Sequence, residues 1–219
     1  MNDEVILEDA ALQHETMLIR PAISADAEKL LEIYAPYVVS EDTSKSNASF
    51  ELEVPSVAEF AGRIKEISRK FPYLVAENDG EILGYVYCHP YRERLAYQWS
   101  VEVTIYMAEK CMGKGLGRLL YETMEKILCL QGVTMAYSCI TLGNEGSIKM
   151  HAALGYRLIG TFSNSGYKNN MWLDTVWMEK QLQECPAWPE PIKSWRELPP
   201  EDICALLVEA TQKMRLLKL

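Results

Sequence analysis

Three glycines at alternate positions are the residues of this chain best placed to bind a phosphate group: Gly113, Gly115 and Gly117. They follow a run of β-branched residues that starts at Val101, and they precede apolar residues at helical spacing that start at Leu116. This order predicts a strand, a tight loop and a helix. Because the first N–H groups of a helix have no partner and carry partial positive charge, we expect a pyrophosphate to bind at this loop.

Three phosphate-binding motifs compete for this loop. A Walker loop requires Gly-Lys-Ser/Thr, and Lys114 is followed by Gly115, which excludes that motif. A dinucleotide fingerprint requires G-x-G-x-x-G and an acidic residue about 20 residues further on, after a second strand; the chain offers neither. The third motif, Gln/Arg-x-x-Gly-x-Gly/Ala after a β-strand, is the acyl-coenzyme A loop of the GNAT N-acetyltransferases, and residues 112–117 resemble it at every position except the first. A glycine-rich turn without a ligand is the remaining alternative.

The surrounding sequence predicts the elements that must position this loop. Besides the strand before the loop, strands are expected at residues 17–21, 73–77, 82–87, 135–140, 156–162 and 172–179. Helices are expected from Ser24 or Asp26 to Tyr34, over 57–71, from Leu116, and from Glu145 to the glycine stop at Gly155. The order β-α-α-β-β-β-α-β-α-β-β is that of an α/β acetyltransferase with a mixed, mostly antiparallel sheet.

Further motifs occur in an order that strengthens this resemblance. They read FPYLVAE at 71–77, AYQWSVE at 96–102, HAALGY at 151–156 and SGYK at 165–168. Together they resemble the phosphinothricin acetyltransferase branch of the GNAT family, from about Met17 to Leu182. The resemblance implies the GNAT acyl-CoA N-acyltransferase fold, acetyl-CoA as co-substrate, a small amino-acid-like acceptor and a homodimer. The tail beyond Leu182 has no counterpart in that branch.

The resemblance also implies which residues bind the coenzyme. The strand would hydrogen-bond the pantetheine through Ile105, Tyr106 and Met107. The loop would surround the pyrophosphate with Met112, Gly113, Lys114, Gly115, Leu116, Gly117 and Arg118. Met112 stands where the family usually has Gln or Arg, so one polar contact is missing. Asn144 and Ser147, followed by His151, resemble the second coenzyme motif of the family.

Two residues are candidates for proton transfer, because only a neutral amine attacks a thioester. At pH 7 deprotonation costs about 1–2 kcal/mol for an α-amino group and about 4–5 kcal/mol for a lysine-like amine. The resemblance implies that Glu102, within an otherwise apolar strand, is the general base, directly or through water; a solvent-facing or structural carboxylate is the alternative. His151 lies where many GNAT enzymes carry the tyrosine that protonates the leaving thiolate. It would donate that proton, share the base role, or be a helix histidine satisfied by a backbone carbonyl.

The acceptor side is predicted from the resemblance alone. It nominates Phe50, Tyr87, Arg94 and Tyr97. Arg94 would bind a carboxylate or phosphinate through a bidentate pair of hydrogen bonds, and a solvated loop arginine is the alternative.

No cysteine has a matched base nearby in the sequence, so we expect direct transfer in a ternary complex rather than an acetyl-cysteine intermediate.

Composition limits the other function classes. The chain has 219 residues, 48% of them hydrophobic and 24% charged, which is typical of a soluble globular protein with room for one full domain and an extension. The net charge of −9 disfavours nucleic acid as a partner. No apolar run is long enough for a membrane span, and the acidic N-terminus lacks the basic start of a secretory signal. Six scattered cysteines without C-x-x-C spacing and three histidines predict reduced cytoplasmic thiols and no metal site.

The domain organisation follows from these patterns. We expect a polar lead-in over residues 1–15, a GNAT domain over 16–182, and a Pro-rich linker with a C-terminal amphipathic helix over 183–219. The apolar face of that helix consists of Ile203, Leu206, Leu207, Ala210 and Met214. It would pack on the domain or on a second subunit.

The predicted function is acetyl-CoA-dependent N-acetylation of a small α-amino compound, with phosphinothricin or methionine sulfoximine as plausible acceptors. One alternative is a protein N-terminal or lysine acetyltransferase. An open groove flanked by acidic residues would favour this alternative. Another is a non-catalytic coenzyme A-binding sensor that uses the C-terminal helix to contact a partner. A nucleotide-binding oxidoreductase is a more distant alternative.

Overall fold

A seven-stranded sheet forms the centre of the protein in the computed structural model, which describes residues 17–219; the polar lead-in predicted over 1–15 lies outside the described residues. The strand order is β1-β2-β3-β4-β5-β7-β6, and only the β4–β5 pair is parallel. The strands are β1 Leu18–Pro21, β2 Tyr73–Asn78, β3 Glu81–Pro90, β4 Ser100–Met107, β5 Met135–Thr141, β6 Arg157–Lys168 and β7 Met171–Gln181. The predicted α/β class with a mixed, mostly antiparallel sheet is confirmed.

Six helices accompany the sheet in the described part of the chain. They are α1 Ala27–Val38, α2 Thr43–Ser46, α3 Val57–Ile67, α4 Leu116–Gln131, α5 Glu145–Ala153 and α6 Pro200–Met214. None of them is long and apolar enough to cross a membrane. The short helix α2 is absent from the sequence prediction because four residues carry no hydrophobic periodicity; the Asp42 carboxylate holds its first turn by accepting from the Ser44 amide at 3.0 Å.

Three helix boundaries differ from the prediction. The first helix, expected to end at Tyr34, continues to Val38 and contains Pro36. The helix expected over 57–71 ends at Ile67, and the following residues form turns before Pro72, which disfavours helical backbone at the residue that precedes it. Asp26 does not cap α1. Its carboxylate accepts from the Ile23 amide at 2.8 Å and from the Arg20 guanidinium at 2.7 and 2.8 Å, so it closes a 3₁₀ turn over Ser24–Asp26 instead.

The helices cover the two faces of the sheet in different places. Helices α1 and α3 pack on one face, with Leu30, Tyr34 and Ile64 in an aromatic-rich cluster. Helices α4 and α6 pack on the other face, which carries Val101 and Val103. Since successive strand residues point to opposite faces, Glu102 between these two valines lies on the face opposite α4.

The C-terminal helix packs on the domain of its own chain. Ile203, Ala210 and Met214 are buried in the same hydrophobic cluster as α4. Thr211 Oγ1 accepts a hydrogen bond from the Ile19 amide at 2.9 Å, so α6 also covers part of the free edge of β1. An edge strand that is covered in this way is protected against pairing with another chain.

Strands β4 and β5 separate after only three residue pairs. Their parallel pairing runs from Ser100–Met135 to Glu102–Tyr137. Beyond this point β4 continues to Met107 beside β3, and β5 continues to Thr141 beside β7. The two strands therefore open a wedge-shaped gap whose apex lies at Glu102.

Candidate coenzyme and active site

The gap between β4 and β5 is a cleft of about 420 Å³. The loop before α4 and the first turns of α5 complete its walls. Of the predicted coenzyme-binding and catalytic residues, those that line the cleft are Ile105, Tyr106, Met107, Met112, Gly113, Gly115, Gly117, Arg118, Asn144, Ser147 and His151. The structure therefore brings together two segments, 105–118 and 144–151, whose nearest ends are 26 positions apart in the chain.

The backbone of β4 offers unpaired groups to this cleft. The backbone N–H and C=O groups of even-numbered residues point toward β3; the Ala108 amide, for example, donates to the Leu83 carbonyl at 2.9 Å. Because these directions alternate along an antiparallel pair, the backbone groups of odd-numbered residues point toward the gap. The Val103 carbonyl accepts from the Tyr121 hydroxyl at 3.0 Å. The N–H and C=O of Ile105 lie between these positions with no strand beside them, an arrangement suited to an extended amide-containing ligand such as pantetheine.

The glycine loop has the backbone conformation that its sequence predicts. Gly113 and Gly115 have backbone φ angles of +71° and +87°, which residues other than glycine rarely adopt, and α4 begins at Leu116. A Cβ at Gly117 would make ordinary van der Waals contacts of 3.5 Å with Ile105 and Met150, so α4 begins close to β4 and α5. The first N–H groups of α4 are thereby presented to the cleft as an anion-binding surface.

Three predicted loop residues contribute differently from the glycines. The Leu116 side chain is fully buried in the core, and the Lys114 side chain is exposed; neither lines the cleft. Met112 lines the cleft with 45% of its surface exposed, and a thioether offers a phosphate no donor. The Arg118 guanidinium is held by Glu122 at 2.7 Å. Phosphate binding here depends on backbone N–H groups, with side-chain cations available at the rim.

The first turn of α5 forms the opposite wall. Asn144 caps this helix, because its Oδ1 accepts from the Ser147 amide at 3.2 Å. The predicted motif Asn-x-x-Ser is therefore a capping motif in this fold, and it presents the helix N-terminus to the same cleft as α4. Two helix termini that converge on one cleft favour an anionic ligand.

His151 is buried and hydrogen-bonded through both ring nitrogens. Nδ1 lies 2.8 Å from the Ser147 carbonyl, which can only accept, so Nδ1 carries the proton of the neutral ring. Nε2 then carries no proton and lies 2.9 Å from the Tyr121 hydroxyl, whose single proton can serve either Nε2 or the Val103 carbonyl. Burial lowers the pKa of His151 below its usual range, which favours this neutral form. The geometry matches the satisfied helix histidine among the alternatives considered from the sequence.

The Tyr121 hydroxyl lies between the two separated strands. It is 3.0 Å from the Val103 carbonyl of β4 and 2.7 Å from Ser138 Oγ of β5. Val103 and Ser138 are the first residues beyond the last paired positions, Glu102 and Tyr137. A side chain of α4 therefore bridges the strands where their own hydrogen bonds stop.

Glu102 is the last β4 residue paired with β5; it is on the face opposite α4 and does not line the cleft. Burial raises the pKa of its carboxyl above the usual range, while the positive charges of His89 and Arg92 act to lower it. His89 is its direct neighbour on β3. A half-buried carboxylate with a raised pKa at this position is suited to accept a proton near neutral pH.

The predicted acceptor residues separate into two groups. Tyr87 lies on the same face as Glu102, its ring stacked on Tyr73 at 4.9 Å between ring centroids. Phe50 packs against Gly166 of β6, where a Cβ would come within 2.3 Å of the ring. Its segment is anchored by Lys168, whose Nζ donates to the Ser46 and Ser49 carbonyls at 2.7 Å.

The other two predicted acceptor residues lie in an exposed loop. Arg94 and Tyr97 are solvent-exposed between β3 and β4, and like Tyr87 and Phe50 they do not line the cleft. Arg92, two positions earlier, is the guanidinium whose charge reaches Glu102. The geometry of Arg94 matches the solvated loop arginine that the sequence left as an alternative.

Several site residues were not identified from the sequence. Tyr37 lines the cleft and donates its hydroxyl to the Met107 carbonyl at 2.7 Å. No role is predicted for Tyr121 from the sequence, although it interrupts the aliphatic series of α4. His89 and Arg92 act on Glu102 through strand pairing and loop geometry. Of these residues, only Tyr121 could have been singled out from the sequence, because its hydroxyl lies on the apolar face of α4.

Comparison with known proteins gives this geometry a family. Residues 19–177 match the acetyltransferase (GNAT) domain. The chain belongs to the GNAT acetyltransferases. Its resemblance to that family, predicted from the glycine loop and the four motifs, is thereby confirmed.

Individual relatives of this GNAT acetyltransferase agree with the family match. A phosphinothricin N-acetyltransferase of Streptomyces viridochromogenes is 34% identical over 175 residues, which cover 80% of this chain and 92% of that protein. A solved phosphinothricin acetyltransferase of Sinorhizobium meliloti in complex with acetyl-CoA is 32% identical with a TM-score of 0.72, covering 85% of this chain and 97% of that one. An L-methionine sulfoximine/L-methionine sulfone acetyltransferase of Pseudomonas paraeruginosa is 32% identical over 120 residues, 54% of this chain and 70% of its own. The chain is an N-acetyltransferase that uses acetyl-CoA as co-substrate.

Proposed function

We propose that this enzyme acetylates the α-amino group of a small amino-acid-like acceptor of the phosphinothricin or methionine sulfoximine type. The single observation that carries this proposal is the position of Glu102. Glu102 is the last residue of β4 that pairs with β5 before the cleft begins, and its half-buried carboxyl is on the face opposite the helix that would hold the pyrophosphate. The names of the relatives supply the acceptor class.

The proposed reaction is direct transfer in a ternary complex. The amine nitrogen bonds to the acetyl carbonyl carbon, the carbon–sulfur bond breaks, the amine proton passes to Glu102 directly or through water, and coenzyme A leaves as the thiolate. The unpaired N–H groups at the β4 edge would polarise the thioester carbonyl. The loop and α5 residues described above would hold the coenzyme, with Asn144 and Ser147 acting through their helix terminus.

Burial and hydrogen bonding assign His151 a positioning role in this proposal. A proton donor to the thiolate must release a proton toward the cleft, whereas the Nδ1 proton of His151 is directed at a backbone carbonyl and Nε2, beside the Tyr121 hydroxyl, carries no proton. The thiolate would then take its proton from solvent. Among the acceptor candidates, Tyr87 and Phe50 would contact the acceptor, and Arg94 and Tyr97 would do so only after the loop between β3 and β4 closes.

We further propose a homodimer and a cytoplasmic location. The hairpin of β6 and β7 exposes large apolar side chains at an outer edge of the sheet: Leu158, Ile159, Phe162, Tyr167, Met171 and Trp172. An exposed apolar surface of this kind is typical of an interface. All six cysteines are free thiols, which suits a reducing compartment. Size-exclusion chromatography with light scattering and cell fractionation would test the two proposals.

An acceptor panel tests the function directly. Purified protein is mixed with acetyl-CoA, and free thiol release is followed with phosphinothricin, methionine sulfoximine, methionine sulfone, the common amino acids, a polyamine and a peptide with a free N-terminus. Saturable turnover of the first three supports the proposal. Turnover of the peptide alone would favour protein acetylation, and no turnover with intact coenzyme A binding would favour a sensor.

A further inference from the structure

The residues that follow α6 lie against the glycine loop from outside the cleft. A Cβ added at Gly115 would lie 3.4 Å from the Leu217 Cδ2 atom, so the leucine methyl occupies the space next to the loop at this glycine. Leu217 also packs against the cluster that contains Leu116, the first residue of α4. Gly115 lines the cleft and Leu217 does not, so Leu217 lies beside the loop and outside the cleft.

The packing of α6 determines this contact. Helix α6 runs antiparallel to α4, since Lys126 near the end of α4 pairs with Glu209 at 3.0 Å while Gly115 at its start meets Leu217. Met214 at the end of α6 is fully buried in the core. The chain then turns, with the Leu217 amide donating to the Met214 carbonyl at 3.0 Å, and Leu217 itself packs against the same core.

The loop needs external support because its own residues supply little. Gly113 and Gly115 have no side chains and lie in the left-handed region, and a Cβ at Gly113 would meet nothing within 4 Å. Glycine loses more backbone entropy on ordering than any other residue. If the loop became ordered only on binding, this entropy loss would weaken the affinity for the coenzyme. A loop that is already ordered in the free protein avoids that loss of affinity.

We propose that Leu217 is a positioning residue for the coenzyme, holding the glycine loop in its pyrophosphate-binding conformation before acetyl-CoA arrives. The inference rests on the proposed function. The family match ends at residue 177, so α6 and this contact are additions to the GNAT domain. The C-terminal tail is thereby a functional part of the coenzyme site.

The test compares Leu217→Ala with Leu216→Ala in the full chain. Leu216 is the matched control because it is the adjacent leucine and is 83% exposed. Coenzyme A binding is measured by calorimetry, hydrogen exchange of the 113–117 amides is measured without ligand, and thermal unfolding is recorded for each variant. We expect Leu217→Ala to weaken coenzyme A binding roughly three- to tenfold and to speed loop exchange, with Leu216→Ala close to wild type. Leu217→Met should restore affinity.

The outcomes separate the possible explanations. Equal affinity of the two alanine variants would overturn the inference, and so would a lower Tm of Leu217→Ala with unchanged affinity, because Leu217 would then be only structural. If Leu217→Ala does not fold, the milder Leu217→Val replaces it in the same comparison. Failure of the wild-type protein to bind coenzyme A would instead contradict the proposed function, and the inference with it.

Discussion

The Tyr121 hydroxyl lies 2.9 Å from Nε2 of His151, at the point where β4 and β5 separate. Through the same oxygen, α4 is linked to the Val103 carbonyl on one strand and to Ser138 Oγ on the other. The coenzyme cleft thus begins where a side-chain hydroxyl replaces the hydrogen bonds of the sheet. His151 fixes the orientation of that hydroxyl.

Removal of the Tyr121 hydroxyl should weaken both the fold and the cleft. Tyr121→Phe leaves buried partners on β4, β5 and α5 without their hydrogen bond, at a cost of about 1–3 kcal/mol. For a domain of this size we expect the Tm to fall by roughly 2–10 °C. The KM for acetyl-CoA should rise more than kcat falls, because the geometry of the gap changes and no proton donor is lost. Thermal unfolding and steady-state kinetics measure the two effects.

The companion variant His151→Gln separates positioning from acid catalysis. If His151 only orients Tyr121, this variant should resemble Tyr121→Phe in its KM effect and should leave the pH profile of kcat unchanged in shape. Loss of a basic limb from that profile would show that His151 donates a proton. The lowered pKa of His151 also predicts that its neutral-state stabilisation is present above the unfolded pKa and is lost as the pH falls through the folded pKa.

Glu102→Gln should abolish most of the activity and stabilise the protein. General base catalysis contributes about 10²- to 10⁴-fold, so we expect kcat to fall within that range. Because burial raises the pKa of Glu102, its ionisation costs stability; the cost develops as the pH rises from the unfolded to the folded pKa, is complete above the folded pKa, and is absent at acid pH where the carboxyl is protonated in both states. The Tm of Glu102→Gln should therefore exceed that of wild type at pH 8 and match it near pH 4. Glu66→Gln, at an exposed site on α3, is the control.

Arg92→Gln should move the pH profile. The positive charge of Arg92 opposes the rise in the pKa of Glu102, so its removal raises that pKa further. The acidic limb of kcat/KM should move to higher pH, and activity should fall most at low pH. The exposed Arg94→Gln provides the comparison. An equal shift of the acidic limb in both variants would assign the effect to the overall charge of the loop. A rise in the KM for the acceptor in Arg94→Gln alone would instead show that Arg94 binds the anionic group of the acceptor.

A charge on the apolar hairpin should separate the proposed dimer. Trp172 is 63% exposed on β7 and packs edge-to-face on Tyr167 at 5.3 Å between ring centroids. If this surface is the interface, Trp172→Lys should give a monomer by light scattering at micromolar concentration, with α/β circular dichroism unchanged. Val208→Lys, on the exposed side of α6, tests a different surface. A dimer that survives Trp172→Lys and is lost with Val208→Lys would place the interface on α6.

The features that the sequence determined are local ones. Gly113 and Gly115 require positive φ, and α4 begins directly after them at Leu116, because turn conformation and the start of a helix depend on neighbouring residues. Glu102 stands out in the sequence as the charged residue of an otherwise apolar strand, and the alternation of side chains along β4 puts it on the face opposite its two valine neighbours. Linked motifs in one order then sufficed for the family and its fold.

The tertiary structure alone decided which of these features meet. The apolar face of α6 could be predicted from the sequence, but the surface on which it packs could not, because hydrophobic burial has no directional preference among apolar surfaces. The bridge from Tyr121 to both strands depends on where β4 and β5 stop pairing, which is a property of strand register across the sheet. Likewise Arg92, rather than Arg94, acts on Glu102 because the path of an exposed loop is set by the elements that it connects. The sequence by itself determined the chemistry at each position, and long-range packing decided which positions act together.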